Sequence, residues 1–107
     1  MQALTPRQLQ ARLESRDASP LLLDIREPWE VELASLPGSM LTPMSRLHPG
    51  VIDALPTDRD IVVMCHHGIR SAQVTQWLER NGLDRVFNLT GGIDAWSRTV
   101  DPGVPLY

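Results

Sequence analysis

Ile61-Val62-Val63-Met64-Cys65-His66-His67-Gly68-Ile69-Arg70-Ser71 is the stretch on which the fold turns. Ile61 to Met64 is a short, β-branched apolar run, the composition of a strand buried on both faces. Cys65, the one cysteine of the chain, stands where that run gives way to two imidazoles, a glycine and an arginine. A core strand does not continue that way, so a loop begins here. Ser71 then reads as the cap of a helix whose Val74, Trp77 and Leu78 share a face and whose stop is Asn81-Gly82. In a strand-loop-helix unit of this kind the glycine permits a tight turn, and the helix directs its unpaired amides and positive dipole end back toward the sulfur. Such surroundings favour thiolate over thiol and mark a candidate nucleophile.

Outward from this unit, strands alternate with helices. Thr5-Pro6-Arg7-Gln8 has the form of a capping box with proline at the first helical position, and Leu9 and Leu13 place a helix up to about Ser15. Arg16 to Pro20 is a polar break. Leu21-Leu22-Leu23-Asp24-Ile25 is too short an apolar run for a helix and reads as a buried strand. Pro28 opens a short helix that Pro37-Gly38 ends, ahead of a brief strand around Ser39 to Leu41. One or two short helices fit Leu47 to Leu55, broken at Pro49-Gly50. Val86-Phe87-Asn88-Leu89 reads as the last strand, Gly91-Gly92 as a turn, and Ile93 to Ser97 as a short helix. The tail with Pro102, Gly103 and Pro105 reads as irregular. The pattern is α/β with a mainly parallel sheet, in which sites form at the carboxyl ends of strands. Asp24 to Glu27, Cys65 to Arg70 and Thr90-Gly91-Gly92 all fall at such ends.

The 107 residues suit one domain, residues 1–107, without repeats or linkers. A net charge of -3 provides no global attraction for nucleic acid or an anionic membrane, so any anion site is local. A single cysteine rules out an internal disulfide framework and fits a reducing compartment. With no signal-peptide pattern at Met1 to Pro6, a cytoplasmic location is expected.

Each candidate has a plainer reading. His66 and His67 read as solvated residues that shape and polarise the mouth of the loop. A metal shared with Cys65 is disfavoured, because neighbouring residues diverge, spaced liganding pairs are lacking, and His48 has no motif around it. Arg70 lies near a helix N-terminus, against the dipole, which calls for an anion or a carboxylate partner; Asp24 and Glu27 are the expected partners. Trp29, Trp77 and Trp96 read as packing residues. The glycines match no nucleotide fingerprint.

Leu22 to Glu30, Leu36-Pro37-Gly38-Ser39, Cys65 to Ser71 and Leu89 to Trp96 together resemble, in order, the four motifs of single-domain rhodaneses, the thiosulfate-type sulfurtransferases. The likeness covers essentially the whole chain. Ala34-Ser35 departs from it, since the family usually has glycine-histidine there. The resemblance implies a three-layer α/β domain: a five-stranded, mainly parallel sheet flanked by helices on both faces. It implies Cys65 as the catalytic nucleophile and His66, His67, Gly68, Ile69, Arg70 and Ser71 as the active loop that binds the transferred sulfur. Asp24 and Arg26 are then loop supports. The implied chemistry is transfer of sulfane sulfur from a small anionic donor such as thiosulfate, through a Cys65 persulfide, to a thiol, cyanide or redox-protein acceptor, with no metal or organic cofactor. Two rivals remain. One is a noncatalytic binding module. The other is a cysteine phosphatase or arsenate reductase, which uses a Cys-(x)5-Arg loop, whereas four residues separate Cys65 from Arg70.

Overall fold

The structure, a computed structural model, describes residues 1–15 and 17–107; Arg16, in the polar break expected over residues 16–20, lies outside them. Five strands, β1 (Ala3–Leu4), β2 (Leu21–Asp24), β3 (Met40–Leu41), β4 (Ile61–Met64) and β5 (Val86–Leu89), form one sheet in the order β1-β5-β4-β2-β3. Every pairing is parallel. The order places β4 at the centre, and all four of its residues are buried, which is why its sequence is a continuous apolar run rather than an alternation.

The helices are α1 (Pro6–Leu13), α2 (Pro28–Leu33), α3 (Gly50–Ala54), α4 (Ile69–Arg80) and α5 (Gly92–Thr99). Alternate residues of β2, β4 and β5 feed two separate cores, as the two-residue period requires. Leu22, Val62, Met64 and Leu89 pack with Leu9 of α1 and Ile93 and Trp96 of α5. Leu23, Val63, Cys65 and Val86 pack with Val74 and Leu78 of α4, and Val51 and Ile52 of α3 adjoin them. The result is the three-layer α/β arrangement. Among the described residues no helix is long and apolar enough to cross a membrane.

Several local expectations change. β1 lies in Ala3–Leu4, where no strand was expected; two residues carry no periodicity, and this strand exists by pairing with Asn88 and Leu89 of β5. The capping box at Thr5 and Gln8 forms as read, but α1 stops at Leu13. A 3-10 turn at Met44–Arg46 precedes α3. Ser71 does not cap α4. Gly68 does, with φ +95°, and the helix begins at Ile69. Only a left-handed residue turns the chain that sharply, and it starts the helix early enough to bring Ser71 inside its first turn. Trp96 is a packing residue and Trp77 is partly buried, but Trp29 is 62 % exposed.

Candidate active site

Registers between β2, β4 and β5 set Asp24 beside Met64 and Val63 beside Asn88, so the ends of three neighbouring strands share one edge of the sheet. Cys65 emerges from the central one. Its side chain is 1 % exposed, and its Sγ accepts hydrogen bonds from the backbone amides of Gly68 (3.1 Å) and Ser71 (3.3 Å). The Ser71 hydroxyl lies 3.2 Å from Sγ and donates to Oδ1 of Asn88. Asn88 in turn donates through Nδ2 to the Gly68 carbonyl at 3.1 Å. The amides of His66, His67, Ile69 and Arg70 find no protein acceptor among the described residues. Two backbone donors of the loop and helix N-terminus therefore converge on the sulfur, an arrangement suited to negative charge.

α5 holds the loop from the other side. The amides of Ile93 and Asp94 donate to the carbonyls of Cys65 (2.9 Å) and His66 (3.1 Å). Gly92, at φ +63°, passes so close to those two carbonyls that a Cβ there would strike them. The Gly91-Gly92 turn is thus a contact surface for the loop.

Arg70 meets neither Asp24 nor Glu27, the partners expected from the sequence. Its two terminal nitrogens bind the two oxygens of Glu30 at 2.7 and 2.8 Å. Asp24 is taken by Arg26, which is fully buried: Nη2 and Nε donate to the Asp24 carboxylate at 2.7 and 3.0 Å. Glu27 accepts the Ser45 hydroxyl. The physical reason is topological. α2 folds Glu30 over the strand edge, while the short reach from Arg26 to Asp24 closes a pair within β2's own turn.

Tyr107 joins the two pairs. Its hydroxyl accepts from Arg26 and donates to Glu30, both at 3.0 Å, and its ring stacks on His66 with centroids 3.8 Å apart and planes 5° from parallel. His67 stacks on the other side of His66, also at 3.8 Å. Arg26 also donates to the Ala34 carbonyl at 2.8 Å, tying the segment that departs from the family pattern to the same network.

These contacts shift several titrations. Arg70, with the Glu27 amide and Tyr107 hydroxyl assisting, holds the Glu30 carboxyl at about 2, and Glu30 in turn raises Arg70. Burial pulls Arg26 down, but its bonds to Asp24 and Tyr107 outweigh that and leave it raised. Burial, then the neighbouring His67, lowers His66. Burial raises Tyr107, and Arg98 lowers Asp94.

His66, His67 and Asp94 offer ligand atoms within 4.8 Å of one another, a set that includes no cysteine. Asp94 is already paired with Arg98 at 2.9 Å. Glu30, Asn88 and Tyr107 were not singled out by sequence. An amide within the apolar run of β5 was a readable signal for Asn88, and a glutamate two residues after Pro28 for Glu30; Tyr107 had none.

The Rhodanese-like domain family matches residues 5–99. A sulfurtransferase of Allochromatium vinosum is 44 % identical over 78 residues, which cover 73 % of this chain and 72 % of that protein. The chloroplastic rhodanese-like/PpiC domain-containing protein 12 of Arabidopsis thaliana is 44 % identical over 89 residues, 80 % of this chain; the chain spans only 30 % of that longer protein. A rhodanese-related protein from Thermoplasma volcanium superposes with a TM-score of 0.84 at 29 % identity, each chain covered in full. With its sheet order, its cysteine loop and these matches in agreement, the chain belongs to the rhodanese-like family.

Proposed function

We propose that the protein is a sulfurtransferase that carries sulfane sulfur on Cys65 as a persulfide. The observation that supports this most directly is the pair of amides, Gly68 and Ser71, bonded to Sγ within a loop whose other amides have no protein acceptor among the described residues. The Cys65 thiolate attacks the outer sulfur of a donor, for which thiosulfate is the reference. A sulfur–sulfur bond forms to Cys65 as the donor's own breaks, and sulfite leaves with the electron pair. Cyanide or a thiolate then attacks the outer persulfide sulfur, and the Cys65 thiolate is the leaving group. Loop amides stabilise the charge at both steps by preorganised hydrogen bonds. The reading is shared by name with the Allochromatium vinosum relative.

A phosphatase is disfavoured by the same geometry. Its loop arginine must face a bound oxyanion, whereas Arg70 is turned to Glu30. Incubation with a panel of sulfane-sulfur donors, thiosulfate included, should make the protein one sulfur atom heavier by mass spectrometry, and cyanide should reverse this with release of thiocyanate. An unchanged mass with every donor, or equal thiocyanate production by Cys65→Ser, overturns the proposal and favours a binding module.

A further inference from the structure

The charges around the mouth bear on which donor it takes, an inference that rests on the sulfur-transfer reading. The open depression above the nucleophile, about 290 Å³, is lined by Cys65, His66, His67, Ile69 and Arg70. Among these five only Arg70 is a permanent cation. Both of its terminal nitrogens are bound by Glu30, and Glu30 is itself held by four donors: two from Arg70, the Glu27 amide at 2.9 Å and the Tyr107 hydroxyl. That carboxylate is buried and stays ionised down to about pH 2, so it offsets the arginine's charge at any working pH.

The neighbouring cations are matched in the same way, Arg26 by Asp24 and Arg98 by Asp94. Burial and His67 press His66 toward its neutral form. Negative charge at the mouth therefore has the loop amides, and two of these already serve Sγ. That provision suits the charge of one sulfur. Thiosulfate brings two further negative charges and a sulfonate end best met by an unpaired cation, whereas a hydropersulfide, R–S–SH, brings at most one, on sulfur itself, and has no sulfonate. Apolar surface for its R group is present at the depression itself, where the Ile69 side chain is 72 % exposed.

We propose that the site prefers an organic hydropersulfide with an apolar R group over thiosulfate and other sulfonate-ended donors, and that Glu30 sets this preference by neutralising Arg70. In the step itself the Cys65 thiolate attacks the terminal sulfur, and the new S–S bond forms as R–S–SH breaks. The electron pair leaves on R–S⁻ and the proton stays on the transferred sulfur, so no outside oxidant is needed.

Single-turnover sulfur loading of the full chain with benzyl hydropersulfide and with thiosulfate, at low and high salt and with Cys65→Ser as background, tests this. The native protein should load faster from benzyl hydropersulfide by about tenfold or more, and added salt should not slow loading from thiosulfate. Glu30→Gln should raise the thiosulfate-to-hydropersulfide rate ratio by about tenfold and make thiosulfate loading fall with salt, the signature of attraction to an unpaired cation. Glu30→Gln/Arg70→Gln should lose both changes. Faster loading of the native protein from thiosulfate overturns the donor preference, and a Glu30→Gln ratio that stays put overturns its assignment to Glu30. Loading from neither donor overturns the sulfur-transfer reading beneath it.

Discussion

Asn88 accepts the hydroxyl proton of Ser71 and thereby settles which way the serine under the nucleophile points. The amide cannot be turned round, because its Nδ2 is engaged by the Gly68 carbonyl. Ser71 Oγ is left as an acceptor toward Cys65, and the two amides of Gly68 and Ser71 are the donors that Sγ receives. One side chain on β5 thus fixes both ends of the loop's inner wall.

Replacing that side chain should show its weight. Asn88→Leu leaves the buried Ser71 hydroxyl without its acceptor and takes one of two donors from the Gly68 carbonyl, which keeps the Ala72 amide at 3.2 Å, a cost of about 1–3 kcal/mol in urea denaturation. Alkylation of Cys65 by iodoacetamide should change as well, since Gly68 and Ser71, the two residues Asn88 holds, supply the amides bonded to Sγ. Stability unaffected by Asn88→Leu would contradict the account of the inner wall.

Two left-handed glycines should respond differently to alanine. At Gly82, φ +95°, nothing lies within reach of a new Cβ, so Gly82→Ala should cost only about 1 kcal/mol of backbone strain and leave Cys65 alkylation unchanged. At Gly92 the Cβ would meet the Cys65 and His66 carbonyls, so Gly92→Ala should cost about 3 kcal/mol or more and alter the alkylation rate. Equal effects at the two sites would count against α5 as the clamp on the loop.

The Glu30–Arg70 pair should be visible in acid. A carboxyl depressed from 4.5 to about 2 contributes stability that is complete above 4.5 and is lost as pH falls toward 2. Native protein should exceed Glu30→Gln by about 2 kcal/mol at pH 6, the partial exposure of Arg70 screening the pair, and the two curves should converge near pH 2. A difference independent of pH would assign the effect to packing.

His66 gives a second titration. Its lowering comes first from burial, between Tyr107 and His67, so its NMR midpoint should lie below 6.5. A base lowered in the folded state destabilises the fold as pH drops from 6.5, because the unfolded chain takes the proton first. Tyr107→Ala uncovers the ring and should move the midpoint back toward 6.5, whereas Tyr107→Phe keeps the stack and should move it less. Identical midpoints in all three proteins would separate Tyr107 from the environment of His66.

Local signals carried much of this fold. An apolar run, a cysteine, a glycine and a helical face at Ile61 to Leu78 specify strand, loop and helix within a few residues of each other, because backbone geometry and side-chain periodicity act over one or two turns. β4, the place of Cys65 at its carboxyl end, the start of α1 and the stop of α4 follow from such short-range physics. Even here the local reading of Ser71 as a cap gave way, because the left-handed turn at Gly68 began the helix earlier.

Tertiary structure alone decided the partners. Arg70 and Glu30 are 40 positions apart, Asn88 and Ser71 17, and Tyr107 and Glu30 77. No periodicity spans such separations; parallel crossovers bring the strand ends to one edge, and a charge in that crowd takes the carboxylate that geometry delivers. The two-residue β1 likewise exists only by pairing with β5. The amino-acid sequence by itself determined where the sulfur stands. The packing of α2, β5 and the segment ending in Tyr107 decided what surrounds it, since burial forces each polar group to find a partner wherever the fold has placed one.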